Sequence, residues 1–443
     1  MLFVANNNAG QVIVSANLAG SGTLTKTGAG TIKLSGSNSY TGATTIESGA
    51  TLLLANDYAL SGNQFISNSG ILMLDTGVML PALTVSGDVI LASDVNSNGA
   101  QQYNNQVTIA AGNRDDPLTL TSGNSSILFN STVIAAANTY SVKRSLTVNA
   151  NNGSVTINGR LGEESMTFSA YSALINGGVK NLYNLIVNAA TINLNADITT
   201  LETQTYNGAV IVGNNGANGT IRTLLSVDPK IEFMLNIDDS VANTHSLVVK
   251  AVSLSDGQKP MVILRGAVGG SKALLNFSAI TGMQLTNSLL GDTDKEPIRL
   301  VGELIMEGSV TTLKDQTFIS NAMQIDGTSS DTKTITFTSK SGKIAFVVGR
   351  DFDSGITGGV GTKIILKYSG SGSMSNESQR ALKASGLAVV LPVFDYQDAA
   401  LNSRVINDAW IDQSSSMESE VMVGAPLDNV CQPDLDCLKN ATL

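Results

Sequence analysis

The feature that most constrains this chain is a tandem self-match near its start. Ser21-Gly22-Thr23-Leu24-Thr25-Lys26-Thr27-Gly28 is followed at once by Ala29-Gly30-Thr31-Ile32-Lys33-Leu34-Ser35-Gly36, the same alternation closed by the same residue. Alternation with a period of two is the signature of a strand, whose successive side chains point to opposite faces. Leu24, Ile32 and Leu34 are assigned to one face, and Thr25, Lys26 and Lys33 to the other. Thr44-Thr45-Ile46 and Leu52-Leu53-Leu54 continue the rhythm, with Ser48-Gly49 as the turn between them. Strands of about four to six residues, repeatedly interrupted by Gly, Asn and Ser, predict the stacked coils of a solenoid.

Composition agrees. Charged residues make up only 14% of the 443, and there are 43 glycines against 8 prolines. Polarity comes instead from Asn, Ser and Thr, which suit strands and tight turns. The formal net charge of −10 makes nucleic acid and anionic membrane poor partners, because phosphate binding needs clustered Lys and Arg. The excess is uneven. From Ile411 to Leu443, Asp412, Glu418, Glu420, Asp428, Asp434 and Asp436 face a single base, Lys439, so half of the excess lies in that tail. Both cysteines, Cys431 and Cys437, lie there too. Neither a signal peptide nor a long apolar run is legible in the sequence.

Three regions follow from the changes in pattern. Residues 1–115 continue the short strand-and-turn repeat. Residues 116–370 use a second style, in which Ser145-Leu146-Thr147-Val148 leads to Val155-Thr156-Ile157-Asn158-Gly159-Arg160-Leu161-Gly162, loosely echoed from Ser246 to Gly269. A coil of roughly 20 to 25 residues is expected throughout. After Gly370-Ser371-Gly372-Ser373 the pattern breaks. Glu377–Ala384 and Ala399–Trp410 are expected to be short helices, and the remainder, from Asp412, to be loose and acidic.

Gly22, Leu24, Lys26, Gly28, Gly30, Ile32, Leu34 and Gly36, followed by Asn38, Tyr40, Gly42, Thr44, Ile46 and Gly49, resemble the autotransporter-associated β-strand repeat, with Ala50 as an extra residue before Thr51-Leu52. Further on, Leu146-Thr147-Val148-Asn149, Ala190-Thr191-Ile192-Asn193-Leu194 and Gln204-Thr205-Tyr206-Asn207-Gly208-Ala209-Val210 resemble the repeats of filamentous-haemagglutinin-type secreted adhesins. The two resemblances imply an all-β chain: a right-handed parallel β-helix (solenoid), here with a short mixed α/irregular C-terminal extension over 371–443. They also imply export across a Gram-negative outer membrane through a pore this sequence does not encode, and residence at the cell surface or outside the cell. The family's N-terminal export region and C-terminal barrel are not legible here. In the oxidising destination so implied, Cys431 and Cys437 form a candidate disulfide; two thiols alone are too few for a metal site.

Chemistry-bearing residues are sparse. His245 is the sole histidine, and no strained Gly-x-Ser-x-Gly turn presents a nucleophile for it; a place on a turn or coil surface is expected. Asp238-Asp239, Asp292/Asp294/Glu296 and Asp351/Asp353 are the acid groups a polysaccharide hydrolase or lyase would draw on. Adjacent acids on a strand face opposite ways, however, and none of the groups has the full ligand set of a calcium loop; they are read as turn-stabilising. Tyr40, Tyr103, Tyr140, Tyr171, Tyr183 and Tyr206 are able to stack on sugars, although packing between coils is the commoner role. No catalytic, cofactor or metal residue is assigned. The expected function is a non-enzymatic, adhesin-like passenger contacting a receptor or glycan on a host or neighbouring cell. A polysaccharide hydrolase or lyase and a non-functional fragment of a longer adhesin are the alternatives.

Overall fold

The computed structural model describes residues 2–5, 10–60, 65–67, 70–111, 116–136, 144–162, 166–177, 179–213, 220–227, 230–253, 259–284, 298–299, 301–325, 334–348, 355–358, 363–368, 388–393 and 402–406. Every regular element among them is a strand. The chain is a parallel β-helix divided into two compact units, Met1–Thr200 and Leu201–Leu443.

The first unit begins with two-stranded coils. Leu24–Thr27 lies beside Thr44–Ile46, and Thr31–Leu34 beside Thr51–Leu54, each offset by 20 residues. From Val95 onward a coil carries three strands. Val95–Ser97, Gln101–Tyr103 and Val107–Ile109 stack under Leu118–Ser122, Ile127–Phe129 and Val133–Ala135. Offsets of 25 and 26 residues match the expected period, and the ladders run without a break past residues 115–116 into Leu146–Asn149 and Ser154–Ile157. In the next coils two of the three strands merge into one, Met166–Ile175 and then Leu185–Leu194.

The second unit repeats this plan. Gln204–Tyr206, Lys230–Phe233, Met261–Leu264, Glu303–Met306, Ala322–Ile325 and Gly355–Gly358 form one parallel column. Ile221–Ser226, Ser246–Ser253, Phe277–Gln284, Gln316–Ser320 and Ile344–Val348 form another. Met261 lies opposite Glu303, so this coil takes 42 residues and exceeds the predicted period. In that second column Val248, Ile280 and Ile319, which face away from the main core, are also buried and gather Ile221 and Val347 around them. A strand covered on both faces loses its clean alternation, as Ser246–Ser253 does.

Inside each column, identical strand positions stack on one another. Tyr103 lies in register with Phe129, ring centroids 5.2 Å apart and planes 11° from parallel. Tyr206 stacks on Phe233 at 4.9 Å and 13°, and Phe318 on Phe346 at 5.2 Å and 17°. At coil corners the stacking is too close for side chains: a Cβ on Gly177 would collide with the Gly159 carbonyl, and one on Gly159 with Ser131. Glycine is required there by backbone contact.

The C-terminal expectation needs correction. Asn402–Ile406, inside the expected second helix, is a strand antiparallel to Ala388–Val393, which itself extends the column of Lys363–Tyr368. Helix propensity is a weak preference; here the open edge of Ala388–Val393 and the β-branched residues Val405 and Ile406 outweigh it. The first expected helix, 377–384, and the acidic tail lie outside the described residues, and with them Cys431 and Cys437.

Candidate functional site

The repeat at 24–54 is built from inward-pointing Leu24, Ile32, Leu34, Ile46, Leu52 and Leu54, all buried. Lys26 joins them, correcting its assignment to the outer face. Two positions after Leu24 on one strand, it must share that face, and only 1% of its surface is exposed. Its amine is satisfied by the strand end, donating to the carbonyls of Thr27 and Gly28, and burial lowers its pKa below the ordinary lysine value. Gly28 (φ 74°) and Gly49 (φ 76°) supply the left-handed turns. A Cβ on Gly36 or Gly42 would strike the Ala16 or Gly22 carbonyl of the coil before.

Asn38 ties three coils together. Its Oδ1 accepts from the Leu18 N–H at 2.9 Å, its Nδ2 donates to the Ala59 carbonyl at 2.8 Å, and its own N–H donates to the Tyr58 carbonyl at 3.0 Å. Tyr40 is buried, its hydroxyl bonded to Thr44 Oγ1, and burial raises its pKa despite that bond. Ala50, the extra residue, is fully buried and closes the turn from Glu47. Lys33 does face outward, paired with Asp75 at 2.6 Å.

His245 is also corrected: it is buried, with 2% of its surface exposed, rather than on a coil surface. Asp239 draws it in. The carboxylate accepts from the N–H groups of Val241, Thr244 and His245 and pairs with His245 Nδ1 at 2.6 Å. The ring lies against Gly213 (φ 73°), where a Cβ would overlap it, and its Nε2 is buried without a partner. Such a group clamps a turn. It presents no accessible base, and Ser240 Oγ spends its hydrogen bond on the Gly213 carbonyl. Asp238 faces the other way, as adjacent strand residues must, and its Oδ1 accepts from the N–H groups of Ser271 and Lys272. Both acids therefore stabilise turns. Asp292, Asp294, Glu296, Asp351 and Asp353 lie outside the described residues. Among the described residues, no group of three or more His, Cys, Asp or Glu side chains is placed to hold a metal ion.

A charged row crosses the second unit. Glu232, 7% exposed, takes Lys230 Nζ at 2.7 Å and the Arg265 guanidinium at 2.8 and 2.9 Å, and Arg265 continues to Glu307 at 2.7 Å. Burial opposes the Glu232 charge, but the hydrogen bonds from Lys230 and Arg265 outweigh it and hold the pKa below its ordinary value.

Two devices escaped the sequence reading. In the first unit an amide ladder runs up one corner: Asn130 donates to Asn104 at 2.9 Å, Asn158 to Asn130 at 2.8 Å, Asn176 to Asn158 at 2.6 Å and Asn195 to Asn176 at 2.6 Å. The other is a glutamine latch. Gln101 Nε2 donates to the Val95 carbonyl, Ser97 Oγ and the Thr121 carbonyl of the next coil, while its Oε1 accepts from Tyr103. Gln316 Nε2 donates to the equivalent Val310, Thr312 and Thr338. Gln204 bonds the Leu225 carbonyl and Tyr206. The signal is present in the sequence as three spaced copies of one phrase, Val95-x-Ser97-x-x-x-Gln101-x-Tyr103, Ile198-x-Thr200-x-x-x-Gln204-x-Tyr206 and Val310-x-Thr312-x-x-x-Gln316-x-Phe318.

Comparison with known proteins bears on the N-terminal coils. Residues 24–54 match the family model of the passenger-associated-transport-repeat. This stretch is similar to the repeats of autotransporter passengers. No curated protein and no solved structure matches the chain. Among the described residues, no helix is long and apolar enough to cross a membrane.

Proposed function

We propose that this chain is a non-enzymatic, adhesin-like passenger, presented at the surface of a Gram-negative cell or released from it, that attaches the cell to other cells, surfaces or glycans. The passenger repeat at 24–54 carries the reading. The haemagglutinin-like phrases at 146–149, 190–194 and 204–210 belong to the same reading, as does an outer-membrane pore as export partner. Further support comes from how the polar side chains are used. Asp238, Glu232 and the asparagine ladder spend hydrogen bonds on neighbouring coils, Asp239 and His245 close their own turn, and charged residues are only 14% of the chain, which suits an outer surface used for attachment.

The test is attachment itself. Beads coated with the purified chain should adhere to epithelial cells or to bacteria more than albumin-coated beads do, and the chain should release no reducing ends from polysaccharides. Absent adherence together with depolymerisation would replace this reading with the hydrolase or lyase.

A further inference from the structure

The tyrosines among the described residues separate sharply by exposure. Tyr40, Tyr103 and Tyr206 are buried and Tyr183 is half-buried, whereas Tyr171 is 64% exposed. It sits in the middle of Met166–Ile175, where the chain rounds a coil corner, and its N–H donates to the Gly153 carbonyl at 2.8 Å. Tyr171 therefore stands directly above the corner Ala150–Gly153. That corner in turn rests on Gly123–Ser126, because Thr121 is in register with Asn149 and Asn149 with Ser169.

Both lower corners expose asparagine. Asn124 (φ 69°) and Asn151 (φ 50°) hold the left-handed turns, and the two coils are cross-linked there. The Asn152 N–H donates to Asn124 Oδ1 at 3.4 Å, and Asn151 Nδ2 donates to the Ser122 carbonyl at 2.8 Å. At about 4.8 Å per layer, the three corners form a ridge roughly 10 Å long. No charged residue occurs in 123–126, 150–153 or 170–172.

We propose that this ridge binds a neutral, β-linked pyranose chain, with one sugar ring on the face of Tyr171 and the amides of Asn124, Asn151 and Asn152 toward its hydroxyls. The proposal rests on the adhesin reading and names its ligand class. An exposed phenol ring offers a flat, electron-rich face, and a β-linked pyranose offers a flat face of C–H groups. Amides both donate and accept, as sugar hydroxyls do. The corners are held by hydrogen bonds between coils, so little ordering is left to oppose binding. Acidic sugars would call for the Arg or Lys that recognises carboxylates, and the ridge has neither.

The experiment titrates the full chain calorimetrically with cellohexaose and with chitotetraose. At least one should bind. Tyr171→Ala should weaken that binding by about tenfold or more, and Tyr171→Trp should keep it within about threefold. Tyr58→Ala, at the other tyrosine exposed among the described residues, should leave it unchanged. Far-UV circular dichroism checks that each variant is folded. Binding of neither sugar, or unaltered binding by Tyr171→Ala, overturns the proposal. The bead assay keeps the two readings apart. If sugar binding is absent or unaltered by Tyr171→Ala while the beads attach, the ridge fails and the adhesin reading stands. If no beads attach while Tyr171-dependent sugar binding persists, the adhesin reading fails and the ridge stands.

Discussion

Replacing Phe318 by tyrosine should stabilise the second unit. In the two latches that end in tyrosine, the phenol donates to the glutamine two residues earlier, Tyr103 to Gln101 at 2.9 Å and Tyr206 to Gln204 at 2.8 Å. Burial pushes both phenols far above their ordinary pKa, so they remain donors across any working pH. The third latch ends in phenylalanine, and Gln316 Oε1 is buried without a partner. Its geometry otherwise repeats the other two: Phe318 stacks on its register partner Phe346 within a few degrees of the Tyr103–Phe129 and Tyr206–Phe233 angles. A hydroxyl on Phe318 is therefore directed toward Gln316. Satisfying a buried acceptor returns about 1 kcal/mol, against an overpacking cost of about 1–3 kcal/mol if Phe277 and Phe337 leave no room. The repeated stacking favours the gain.

Urea denaturation, followed by hydrogen exchange at Gln316 and Thr338, measures the effect. Phe318→Tyr should gain about 1 kcal/mol and slow exchange there, and the gain should vanish in a Gln316→Leu background. Tyr103→Phe and Tyr206→Phe should each cost about 1–2 kcal/mol by removing the buried phenol-to-glutamine hydrogen bond. A destabilised Phe318→Tyr, or a gain that survives loss of Gln316, would refute the latch.

Acid should loosen the second unit through Glu232. Its folded pKa is depressed, so its contribution is complete above the ordinary value of 4.5 and is lost as pH falls through the lower folded value. Glu232→Gln should remove that acid-sensitive step and cost about 1–2 kcal/mol at neutral pH, allowing for the partial exposure of Arg265; an unchanged acid-unfolding curve would contradict it. In the first unit, Asn158→Ala cuts the amide ladder in the middle and should lower the urea midpoint by the equivalent of about 1 kcal/mol, whereas a neutral result would mean that solvent replaces both bonds.

The strand pattern was legible in the sequence because burial in a coil follows a period of two and the corners demand Gly and Asn. Leu24, Ile32, Leu34, Ile46 and Leu52 announce the core by parity alone, and strict parity with Leu24 also places Lys26 inside, where chemical type suggested otherwise. What lies beyond parity depends on partners that only the folded chain brings together, from six residues away to more than thirty. His245 is buried because Asp239 and Gly213 receive it, and local sequence carries no trace of that reception. Asn402–Ile406 becomes a strand because Ala388–Val393 offers an edge. The latch glutamines and ladder asparagines look like ordinary polar turn residues until the next coil brings Thr121, Thr338 or Asn176 within hydrogen-bond reach. A parallel β-helix makes its hydrogen bonds between coils, so the sequence of one coil determines where its side chains point, and only the stacked structure determines what they touch.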